Sequence, residues 1–141
     1  MVRAEVVSRK IARAAGWLND AEALLSRPRE EFLANARDRD LASFYIFLAI
    51  QECIDLGAHW VADAGWPTPT DTASTFDVLA DRGAIDRPLS SAMRAATGLR
   101  NRIGHGYAGI DHSRLHLEAT QGIAALRQFL HAAGRAAGLV G

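Results

Sequence analysis

Cysteine is almost absent from this sequence: Cys53 stands alone among 141 residues, so no internal disulfide can form. The opening stretch, MVRAEVVSRKIARAAGWL, carries early positive charge but no uninterrupted apolar core, which speaks against a secretory leader. Together these two features lead to the expectation of a reducing, cytoplasmic setting. An excess of charge of either sign is also missing. Sixteen basic residues balance sixteen acidic ones, which argues against a general polyanion binder. No apolar run stands out as long enough to cross a bilayer, so no membrane association is expected. Convincing strands, internal repeats, linkers and low-complexity blocks are lacking too.

What remains is a helical period. Nearly half the residues are apolar and about a quarter charged, enough for one domain with a real core, expected to span 1–141. Ile11, Ala14, Leu18, Ala21 and Leu25 recur at three- and four-residue steps. Pro28 interrupts, and a short helical turn, EEFLANA, follows. From about Asp40 to Ala64, the residues Phe44, Phe47, Leu48, Ile50, Ile54, Ala58 and Val61 cover so wide a face that this helix should be central. Ser74 and Asp77 resemble a capping box, and Gly83 ends the segment they open. Asp86 and Asp111 are candidate caps for the last two helices. The expected fold is all-α, a single bundle of about five helices.

The stretch RNRIGHGY, residues 100–107, is the chemical oddity. It crowds two arginines, a histidine and a tyrosine into a helix end with Gly104 and Gly106. Its surroundings are locally basic. Between Arg82 and His116, six arginines face only Asp86 and Asp111. On charge alone, a solvated arginine-rich surface is the simpler reading. The residue types nevertheless suit phosphodiester chemistry. Arginine offers a fixed fork of donors to phosphate oxygens, and histidine titrates near neutral pH and can take a proton from a hydroxyl. A neighbouring arginine should favour the neutral imidazole. Five residues of helix rotate Arg100 about 140° from His105, so the pair does not share a face. The glycines are expected to distort the helix there, or a second chain to complete the cleft. Bland readings stand beside this one: His105 as a helix-terminal histidine, Arg100 as an ion-pair partner, Tyr107 as a core plug.

Other candidates are weaker. His112 and His116 lie four apart, but two histidines without a third ligand make a poor metal site. Both read more simply as exposed residues opening the last helix. Gln51, Asp55 and His59 make a polar stripe on an otherwise apolar helix, and Asp55 is placed there as a support for Arg100 or His105. Trp17, Trp60 and Trp66 read as core or dimer contacts, and Cys53 as packing.

RNRIGHGY fits the R-x4-H-x-Y pattern of the HEPN superfamily and resembles HepT-type toxins in particular. LAIQECIDLGAHWVADAG, residues 48–65, resembles that family's long second helix. FDVLADRGAID, leading through a helix into the motif, has its order and spacing. The resemblance runs from about Ile11 to Leu130. It implies a HEPN-like homodimer, a metal-independent ribonuclease toxin without cofactor, and a nucleotidyltransferase-type antitoxin as partner. By position it implies Arg100 and His105 as the catalytic pair, Asn101 as supporting residue and Tyr107 as the acceptor of AMP. Arg94, Arg102 and His112 are expected as further RNA contacts. Gly104 departs from the larger residue often found there, and is expected to loosen the helix end. A non-catalytic HEPN module that binds nucleotide or RNA, or docks the partner, is the alternative.

Overall fold

The computed structural model describes residues 4–106 and 109–139. Its helices are α1 (Ala4–Leu25), α2 (Arg29–Ala34), α3 (Ala36–Asp63), α4 (Ser74–Asp81), α5 (Arg87–Gly106) and α6 (His112–Ala136), with no strand among the described residues. The expected five are six, because the EEFLANA turn is a short helix of its own.

Side-chain caps open three of the six helices. Asp86 Oδ1 accepts from Leu89 N at 2.9 Å, and Asp111 Oδ1 from Arg114 N at 3.1 Å, as the sequence suggests. Asn35 Oδ1 accepts from Asp38 N, so α3 begins at Ala36 and not near Asp40. The expected Ser74–Asp77 box does not form. Asp71 Oδ1 accepts from Ser74 N and Ser74 Oγ accepts from Asp71 N, a reciprocal pair one turn earlier. Asp77 is instead drawn to Arg94 across the α4–α5 seam. Gly65 and Gly83, with φ of 72° and 73°, end α3 and α4 in the left-handed conformation.

Helix α3 touches every other helix. Its buried residues Ile46, Ile50, Cys53 and Val61 meet Leu18 of α1, Phe76 of α4, Met93 of α5 and Phe129 of α6 in one core. The α1–α3 seam is tied by Glu52, a buried carboxylate paired with Lys10 at 2.9 Å and Arg13 at 3.3 Å. Beside it Cys53 is fully enclosed; burial, with Glu52 adding, holds its thiol far above the usual range. Trp17, Trp60 and Trp66 pack half-buried against the core.

By length and composition alone α3 could cross a membrane, with a mean hydropathy of 1.4 over its most apolar stretch. Of that stretch 56% is buried against other helices, so its hydropathy is that of a core helix. The apolar face is wider than its neighbours can cover. Phe44 remains 56% exposed, with Leu48 half-buried one turn on.

Candidate functional site

The last turns of α5 carry the unusual stretch, and α3 receives one side of it. The Arg100 guanidinium reaches across to Gln51, donating from Nε at 2.9 Å and from Nη2 at 2.6 Å to the same Oε1. Its Nη1 donates to Asn101 Oδ1 at 2.6 Å. Gln51 Nε2 in turn donates to Asp55 Oδ1 at 3.0 Å. The guanidinium carbon lies 5.6 Å from the centroid of the Phe47 ring, within cation–π range. Asp55, Gln51, Arg100 and Asn101 therefore form one hydrogen-bonded chain across the α3–α5 seam.

Gly104 has a packing role there. A Cβ on it would stand 3.1 Å from Phe47 Cε2, so its bareness lets α5 approach the ring. The sequence reading expected Gly104 and Gly106 to break or loosen the helix. Gly104 lies inside α5 and Gly106 is its last residue, and neither has a positive φ.

His105 is exposed and lines a cleft of about 530 Å³ between the end of α5 and the start of α6. Asn101, Arg102, Ile110, Arg114 and Glu118 line the same cleft. Arg100 is not on its wall. Arg100 and His105 thus meet different neighbours, as five residues of helical rotation lead one to expect. Asn101 bridges it, accepting from Arg100 while lining the His105 cleft, one turn before the histidine.

The locally basic window is largely neutralised from outside its own stretch of sequence. Arg94 pairs with Asp77 at 2.5 Å and Arg87 with Asp81 at 2.5 Å. Glu118 takes both Arg114, at 2.9 Å, and Arg102. Arg102 remains on the cleft wall, whereas Arg94 is away from it, fastening α5 to α4. His112 is the half-buried first residue of α6. His116 points elsewhere: its Nε2 donates to the Leu25 carbonyl at 3.3 Å, and its ring packs 5.0 Å from that of Phe32. No three His, Cys, Asp or Glu side chains gather as a metal site among the described residues. Tyr107 lies outside the described residues.

Two participants escaped the sequence reading. Phe47 read only as core, and nothing marks a half-buried phenylalanine as a cation platform. Glu118 meets Arg102 from a different helix, so no local spacing announces it.

A family model described as Ribonuclease HepT-like matches residues 16–133. No curated protein matches the sequence. Among solved structures, the chain is similar to one in a crystal structure of a toxin–antitoxin with AMP-PNP: 19% identity, TM-score 0.82, covering 91% of this chain and 97% of that one. It is likewise similar to a tri-AMPylated Shewanella oneidensis HEPN toxin in complex with an MNT antitoxin, at 20% identity and TM-score 0.82, covering 90% of this chain and 95% of that one. At such identities the likeness is one of fold, an all-α HEPN-like bundle.

Proposed function

Because this chain belongs to the HepT-like ribonuclease family, we propose that it is the RNA-cutting toxin of a toxin–antitoxin pair, with Arg100 and His105 as its catalytic residues. The observation that carries this is the state of Arg100. Its cation is held in place by amide oxygens and an aromatic face, with no carboxylate against it among the described residues. A guanidinium so held offers both aim and charge to a phosphate.

In the proposed reaction the scissile phosphate rests on Arg100. Neutral His105 takes the proton from the ribose 2′-hydroxyl, and the 2′-oxygen attacks the adjacent phosphorus. The P–O5′ bond breaks, the proton taken up by His105 is returned to the leaving oxygen, and the products are a 2′,3′-cyclic phosphate and a 5′-hydroxyl. Arg100 stabilises the charge that builds on the phosphoryl oxygens. This chemistry uses the RNA's own nucleophile and proceeds in EDTA. Asn101 links the two groups, and Asp55 supports Arg100 through Gln51. Arg102 and His112 are the remaining candidates for RNA contact. Arg94, tied to Asp77, fits that role less well.

One chain turns Arg100 and His105 to different sides of α5, so the active cleft is assigned to a homodimer. Phe44, Leu48, Gln51 and Asp55 fall on one stripe of α3, and its apolar end is exposed next to the residues that hold Arg100. A second copy seated there would bring the two motif regions together. The partner proposed for control is a nucleotidyltransferase-type antitoxin. Tyr107 Oη would attack the α-phosphorus of ATP and release pyrophosphate, leaving an AMP whose bulk and negative charge block RNA phosphate. Incubation with that partner and ATP should add the mass of AMP, and Tyr107→Phe should not gain it.

The central test is cleavage of RNA in EDTA. Arg100→Ala and His105→Ala should each lower the rate by about a hundredfold or more, with the helical circular dichroism unchanged. Full activity in His105→Ala would overturn the assignment of the base. The separation of the pair within one chain favours a second reading, a non-catalytic module that binds RNA or docks the partner. It would leave RNA intact at any protein concentration.

A further inference from the structure

We propose that Gln51 is the positioning residue for Arg100, and that its lack of charge is what leaves the guanidinium able to bind a phosphate. This rests on the reading of Arg100 as the phosphate-binding group.

Where arginines of this chain meet a carboxylate at ion-pair distance, as Arg27, Arg87, Arg94, Arg102, Arg114 and Arg127 do, their charge is countered. Arg100, drawn into the α3–α5 seam, meets two amide oxygens. A carboxylate at the Gln51 position would hold the fork equally well but would cancel its charge. The amide gives the grip without the cancellation.

An amide has two ends, and the wrong one would repel. A guanidinium only donates and a carboxylate only accepts. With Asp55 Oδ1 taking Nε2, Oε1 is left facing Arg100, and no other orientation satisfies both neighbours. Asp55 therefore sets the polarity of Gln51 from the far side, one helical turn on. Its negative charge is held off the guanidinium by the intervening amide.

The count of donors supports the assignment. Arginine has five N–H groups. Nε–H, one hydrogen on Nη2 and one on Nη1 are engaged. One N–H on each terminal nitrogen remains to donate to phosphate oxygen. The Phe47 ring adds a cation–π contact, its centroid 5.6 Å from the guanidinium carbon.

The test compares wild type, Arg100→Ala, Gln51→Leu, and Gln51→Glu combined with Asp55→Asn. The double variant avoids setting two carboxylates side by side and keeps an acceptor on Arg100. The binding probe is a short single-stranded 2′-O-methyl RNA, which cannot be cut by 2′-oxygen attack. In the double variant the thermal midpoint should match or exceed wild type. Its KM for unmodified RNA should rise at least tenfold, and the log–log salt slope for the probe should fall by about 0.7, the share of one phosphate contact on a single strand. Gln51→Leu leaves the charge but removes the aim, so kcat should fall tenfold or more with a smaller change in KM. A merely structural Gln51 would leave the salt slope unmoved. If Arg100→Ala is inactive while the double variant or Gln51→Leu cuts like wild type, the role given to Gln51 is overturned and that of Arg100 stands. If Arg100→Ala itself cuts normally, the phosphate reading of Arg100 falls, and this inference with it.

Discussion

At residue 104 a hydrogen atom stands where any other amino acid carries a β-carbon. Gly104→Ala places a Cβ 3.1 Å from Phe47 Cε2, so the ring must shift by a few tenths of an ångström. Alanine gains about 1 kcal/mol of helix propensity over glycine, which offsets the crowding. Denaturant unfolding should accordingly move by less than about 1 kcal/mol. RNA cleavage should fall more visibly, because the displaced ring lies under the Arg100 guanidinium. An alanine variant as active as wild type would remove Phe47 from the description of the site. Cys53 illustrates the opposite case, a reactive group disarmed by its place. It is fully enclosed, and burial disfavours its thiolate. A thiol reagent such as an aromatic disulfide should leave the native protein unlabelled at neutral pH and label it once denatured.

Between elements, polar clamps and close packing do different work. Arg127 of α6 donates to both carboxylate oxygens of Glu22 on α1, each at 3.0 Å, and to Asn19 Oδ1 at 2.9 Å. The Arg127 hydrogen bonds and charge hold the Glu22 carboxyl below its ordinary value of 4.5. A carboxyl depressed in the folded state adds stability above its unfolded pKa, and that stability disappears as pH falls through the folded value. Glu22→Gln should thus lower the thermal midpoint at pH 7, and the gap to wild type should close as the solution is acidified below about pH 4. Because the pair is exposed, added salt should narrow the gap as well. At Gly57 the seam is dry. A Cβ there would meet Thr75 Cγ2 at 3.1 Å, Phe76 at 3.5 Å and Phe129 at 3.6 Å, all buried. Overpacking of the buried α3–α4–α6 junction costs about 1–3 kcal/mol and alanine's helix propensity returns about 1 kcal/mol, so Gly57→Ala should leave the protein up to about 2 kcal/mol less stable, as read by urea unfolding. Element boundaries were legible wherever a cap had no rival, as at Asp86 and Asp111. The Ser74–Asp77 reading failed because each residue had a stronger partner, Ser74 in Asp71 and Asp77 in Arg94.

For the molecule as a whole, the question is what covers the outer stripe of α3. Phe44 is more than half exposed in the single chain, so Phe44→Asp should leave the isolated fold nearly as stable. If two copies meet on this stripe, the same change should convert a dimer to a monomer in sedimentation and reduce RNA cleavage with it. A variant that stays dimeric and active would place the interface elsewhere.

The helical class, the central place of the long apolar helix and the helix end that carries Arg100, Asn101 and His105 are all legible in the amino-acid order. Each follows from local periodicity or composition, which a single element expresses on its own. The turn of Arg100 to Gln51 and Phe47, the pairing of Arg94 with Asp77 and the gathering of Arg102 and Arg114 by Glu118 come instead from how the helices pack. That packing also gives Gly104 a reason unrelated to backbone freedom. These are contacts between helices far apart in the chain. A long charged side chain takes whichever partner packing brings within a few ångströms, and no spacing along one strand of sequence can say which that is.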